Sequence, residues 1–141
     1  MTRIVKGILI DPFACLVTEV EHDASGIDGI YKLISHESHP VDTFTCAYSG
    51  ALAPGDAIFV DDDGLYKMSD RFFLFPGNPQ PLAGKGLILG SRSRDGQTMD
   101  ALTPLAYIQQ YTRFLRVDIR IQDEATLIET HTPWVRPDEA A

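Results

Sequence analysis

The sequence predicts an α+β fold: a single domain built on a curved, mainly antiparallel sheet of about six to eight short strands, with two short helices. Three observations carry this prediction. Short β-branched or aromatic runs recur along the chain, each bounded by Gly, Pro or Asp turn signals. Hairpin-type connections join most of these runs. Only two stretches carry a helical apolar period or a helix start signal. At 141 residues and 15.6 kDa, the chain is long enough to bury a core without disulfide or metal clips and too short for two ordinary domains. The expected layout is one domain over residues 1–122 and an extension or tail over 123–141.

The elements follow in order. RIVKGILI (3–10) is β-branched and stops at Asp11-Pro12, where proline cannot donate to a ladder. CLVTEVE (15–21) alternates Leu16, Thr18 and Val20 with Val17, Glu19 and Glu21, which makes it the return strand of a hairpin with an acidic outward face. Ser25 is the expected cap of a helix over 26–35, with Ile27, Ile30, Tyr31 and Ile34 at i, i+3, i+4 and i+7. DTFTCAY (42–48) and AIFV (57–60) are strands, and Asp63-Gly64 is a hairpin-turn signal leading into 65–67. FFLF (72–75) and GLILG (86–90) are apolar throughout, as buried strands are. Between them lie three prolines in six positions (76–81), a stiff loop, and 92–97 turns around Asp95-Gly96. Thr103-Pro104 starts a second helix running to about Thr112. In 113–122, Val117, Ile119 and Ile121 alternate with Arg116, Asp118 and Arg120, which predicts an edge strand with a basic outer face.

The net charge is −8, and it is not evenly spread. Residues 1–70 carry 12 acids and 4 bases, while residues 71–141 carry 8 of each. Such a balance argues against direct nucleic-acid binding, whose affinity comes from Lys and Arg releasing counterions, and favours a basic partner. No apolar run is long enough to span a membrane, and the N-terminal stretch does not read as a secretory signal. Cys15 and Cys46 are expected to be free, buried thiols of a protein made in a reducing cytoplasm.

Several patterns invite a chemical reading and fall short of it. Asp61-Asp62-Asp63-Gly64 has oxygen ligands for a hard cation but not the spacing of a calcium loop, so it reads as a solvated hairpin tip. His36 and His39 share the spacing of some zinc ligands but lack further nearby ligands, so they read as two exposed loop histidines. Gly77 to Gly86 fails as a nucleotide-phosphate loop on spacing, on the missing hydroxyl and on the strand that follows. What survives there is a candidate small-anion site at Arg71, Asn78, Gln80 and Lys85. Neither cysteine and no serine has a nucleophile's local context. Arg113, Arg116 and Arg120 form a basic stripe that reads as a solvated strand face. Tyr107, Tyr111, Phe114 and Trp134 are candidates for a self-association surface. No metal, cofactor or catalytic residue is implied.

Between Lys6 and Gly90, the segments KGILIDPF, YKLI, GDAIFVDDDGLYK and FFLFPGNPQPLAGKGLILG resemble a family of small proteins of unknown function encoded by bacteriophages, prophages and conjugative elements. The stretch 55–90 is the most specific part. The resemblance implies a mobile-element accessory protein acting in the bacterial cytoplasm, and it brings no catalytic residues with it. The leading expectation is therefore a non-catalytic protein that binds and inhibits a host protein, defence-related by context, through an acidic surface including Glu19, Glu21, Asp61, Asp62 and Asp63. The alternative is a protein that sequesters a small nucleotide-like ligand at the 71–90 region, and a hydrolase ranks last.

Overall fold

A computed structural model describes residues 3–62, 71–75, 80–91, 97–119 and 125–131. Among them are nine strands and two helices: β1 (Ile4–Asp11), β2 (Leu16–Asp23), α1 (Asp28–Ile34), β3 (Phe44–Ala47), β4 (Asp56–Asp61), β5 (Arg71–Leu74), β6 (Leu82–Ala83), β7 (Gly86–Gly90), α2 (Leu105–Tyr111), β8 (Arg113–Ile119) and β9 (Ala125–His131). The α+β class and the antiparallel pairing are as the sequence predicts. The strands divide into a five-stranded sheet, β2-β1-β7-β4-β3, and a four-stranded sheet, β6-β5-β8-β9, with every neighbouring pair antiparallel.

The five-stranded sheet is covered on both faces, which explains why its central strands are apolar without alternation. On one face Ile8, Ile10, Val17, Ile58, Val60 and Ile88 pack against Ile108 of α2, against Phe73 and Phe114 of the second sheet and against Phe75 just after β5. On the other face Val5, Leu87 and Leu89 pack against Val41 and against Ile30 and Ile34 of α1. All five residues of GLILG are buried accordingly.

Some local expectations give way to stronger partners. Ser25 does not cap α1, because Asp23 takes both its N–H (3.0 Å) and its hydroxyl (2.7 Å); Ile27 stands at the cap position and is exposed instead of packing. Thr103 does not cap α2; its hydroxyl donates to Asp56 (2.7 Å) and Pro104 occupies the cap position. β8 is not an edge strand. It lies between β5 and β9, and β9 falls within the 123–141 segment that the sequence presents as an extension. Phe114 is buried in the core, while Tyr111 is exposed and packs its ring against Tyr107 at 5.1 Å. Both cysteines are free thiols; Cys46 is exposed on β3, not buried, and Cys15 is half-buried with φ at 56°. The turn expected at 63–64, residues 92–96 of the turn expected at 92–97, most of the proline-rich loop and Trp134 lie outside the described residues.

Candidate functional site

One end of the central sheet gathers most of the polar chemistry. The register that pairs Asp11 with Leu16, Ile10 with Gly86 and Phe59 with Leu87 brings the β1–β2 turn, the entry to β7 and the end of β4 to the same side. Asp11 shapes its turn by accepting the N–H groups of Phe13 (3.0 Å) and Ala14 (3.2 Å) through Oδ1, and its Oδ2 meets Lys85 Nζ at 3.6 Å. The charge of Lys85, a sequence candidate for anion binding, is thus already opposed by a carboxylate.

His36 and His39 close a tight turn by exchanging backbone hydrogen bonds of 3.1 and 2.9 Å. His36 Nδ1 accepts from the Ser38 N–H (3.1 Å), and its ring stacks on Phe13 with centroids 3.9 Å apart. His39 is not the exposed loop residue that the sequence suggests. It is buried, and its Nε2–H donates to Asp61 Oδ2 at 2.7 Å, with the two side chains 1% and 2% exposed. Solvent-borne substrate does not reach this pair, so its work is to pin the 35–41 loop to β4. Gly84 allows the ring to sit there: its φ is +76°, and a Cβ at this position would lie 3.0 Å from His39 Nε2.

The acidic surface takes a different shape from the one the sequence suggests. Glu19, Glu21 and Asp62 are exposed, but Asp61 is buried against His39, and Asp63 lies outside the described residues. Nor do the exposed acids form one patch. β2 and β4 are three places apart in the sheet, about 14 Å at ordinary strand spacing. Glu21, opposite Lys6, lies toward the end of the sheet away from Asp61. What remains is an acidic edge along β2, where Glu19, Glu21 and Asp23 repeat at every second residue, all exposed. The Ser25 hydroxyl, the Ser25 N–H and the Arg3 N–H hold the Asp23 carboxyl down at about 2.

The anion candidates are likewise dispersed. Arg71 is half-buried on β5 directly opposite Arg116 of β8, and its carbonyl accepts the Gly84 N–H (3.0 Å). Gln80 is exposed, and Asn78 lies outside the described residues. Arg113 and Arg116 are exposed, while Arg120 is not described. Among the described residues, no group of three or more His, Cys, Asp or Glu is placed to hold a metal ion, and no helix is long and apolar enough to cross a membrane.

Sequence reasoning missed the His39–Asp61 pair and the Lys85–Asp11 pair. A signal for the first was present: if AIFV is buried on both faces, the aspartates that flank it lie at the ends of a buried strand and need partners. Comparison with family models, curated proteins and solved structures finds no match to this chain.

Proposed function

We propose that the protein is a non-catalytic accessory protein that binds a host protein and masks a basic surface on it. The setting, a mobile-element product that inhibits a defence-related host component in the bacterial cytoplasm, comes from the resemblance over residues 6–90. One observation carries the binding reading: the edge strand β2 presents Glu19, Glu21 and Asp23 in an exposed row. A row of carboxylates raises the local potential for a cationic partner and speeds its encounter. The expected result is a specific partner recovered from host lysate at low salt, lost at raised salt, and lost to the E19K/E21K double variant, which keeps its fold because both side chains are exposed. Equal recovery by that variant sinks the reading.

A second reading is sequestration of a small nucleotide-like ligand at the 71–90 region, where Arg71 of β5 lies in register with Arg116 of β8. A panel of linear and cyclic nucleotides in a thermal-shift assay decides it, since a ligand at a hundred times its dissociation constant adds about 2.7 kcal/mol.

A further inference from the structure

The register of the β1–β2 hairpin determines which backbone groups of β2 face outward. The Ala24 N–H donates to the Arg3 carbonyl at 2.7 Å. Hydrogen-bonded and non-bonded pairs alternate in an antiparallel ladder. His22 opposite Val5, Val20 opposite Gly7 and Thr18 opposite Leu9 are therefore the bonded pairs. Val17, Glu19, Glu21 and Asp23 turn their N–H and C=O groups away from β1.

Two other contacts agree. The Val17 carbonyl accepts from Gln109 Nε2 of α2 at 2.8 Å on that outer side. Lys6, opposite Glu21, directs its N–H to Asp100 (2.8 Å) and its carbonyl to the Ala101 N–H (2.8 Å), along the other edge of β1. Since β2 ends its sheet, no strand among the described residues meets the outward groups of Glu19 and Glu21. α2 closes this edge at Val17, and among the described residues no strand closes it beyond.

We infer that the β2 edge at Glu19 and Glu21 takes an extended basic segment as an added strand, with cationic side chains at alternate positions meeting the two carboxylates. This rests on the acidic-surface reading and specifies its geometry: main-chain bonds supply affinity, and the alternate side chains supply selectivity. A second copy of the chain is the wrong occupant. Antiparallel self-pairing centred on this stretch sets carboxylate opposite carboxylate, which is unfavourable, and charge on an edge strand is a common bar to such pairing.

The probe is an end-blocked peptide of alternating lysine and threonine, read by amide hydrogen exchange on the full chain. The amides of Glu19 and Glu21 should slow by about tenfold or more when the peptide saturates, while those of Thr18 and Val20, already bonded to β1, should not change. The same peptide N-methylated at alternate residues keeps its charge but loses the strand contacts, and should bind about tenfold more weakly. If both peptides bind equally, are lost to E19Q/E21Q and leave the Glu19 and Glu21 amides unprotected, strand addition is wrong and the acidic-surface reading stands. If neither binds at low salt, both fall. Protection of these amides without peptide, rising with protein concentration alongside a dimer in sedimentation, replaces the basic segment with a second copy and overturns the inference.

Discussion

Strand β4 has an aspartate at each end, both buried and held in unlike ways. Asp56 shares a face with Ile58 and Val60, and its Oδ2 accepts from the Leu102 N–H (2.9 Å), the Thr103 N–H (2.7 Å) and the Thr103 hydroxyl (2.7 Å). That hydroxyl in turn accepts the Ala53 N–H (2.8 Å). Asp61 shares the opposite face with Ala57 and Phe59 and receives the His39 imidazole. At the first end a carboxylate ties two chain segments together through donors that carry no ionisable proton near neutral pH. At the second, the donor is an imidazole carried by a four-residue turn. The same residue type on one strand is thus a fixed staple at one end and half of a buried imidazole–carboxyl hydrogen bond at the other. The difference lies in the partner, not in the depth of burial.

The largest expected effect is at the staple. D56A leaves two backbone N–H groups and a hydroxyl without their acceptor, and should cost about 4 kcal/mol in urea unfolding. A loss below about 1 kcal/mol means that water reaches Leu102 and Thr103, which would erase the contrast with the other end. Next is the His39–Asp61 hydrogen bond, where the two substitutions should differ. H39A removes a buried hydrogen-bond donor to Asp61 and should cost about 3 kcal/mol. D61N leaves an amide oxygen that still accepts from the ring, and should cost about 1 kcal/mol. Equal losses from H39A and D61N show that the pair behaves as two neutral hydrogen-bonding groups.

How much of this was legible follows from the same residues. RIVKGILI, FFLF and GLILG are readable as strands because composition and turn signals agree, and the helix around Ile30 and Ile34 is readable from its period. Asp61 is not, since three aspartates before a glycine look like a solvated tip until the strand ahead of them is known to be buried on both faces. Ser25 and Thr103 are read as caps from local preference, yet each finds an aspartate that is a stronger acceptor. The edge of β2 is half legible: alternation shows that Glu19 and Glu21 share a face, but only the sheet order makes that strand an edge.

A smaller effect sharpens the geometry around Asp61. G84A forces a side chain into φ of +76° and sets its Cβ 3.0 Å from His39 Nε2, so it should cost about 2 kcal/mol, part from backbone strain and part from the ring. Combining G84A with H39A removes the ring and leaves the strain. The double variant should therefore lose about 1 kcal/mol less than the sum of the singles. Strict additivity means that the ring already moves aside in G84A, and that the turn holding His39 is softer than the staple at Asp56.

The smallest effect comes from a third buried group, His22, which shows what an imidazole does without a carboxylate bonded to its ring. Its side chain lies on the same sheet face as Asp61, with Nδ1 unbonded among the described residues and close against Gly29 of α1, where a Cβ would lie 2.7 Å away. Burial lowers its pKa below the usual 6.5; the Asp23 charge opposes that shift and Arg3 adds to it. The folded state therefore binds the proton less readily than the unfolded chain. The stability that follows is complete above about pH 6.5 and is lost as the pH falls below it. In urea titrations between pH 7 and 5, H22L should show a shallower decline than the unaltered protein. Parallel pH curves for the two mean that the His22 ring takes up its proton without leaving the face it shares with α1.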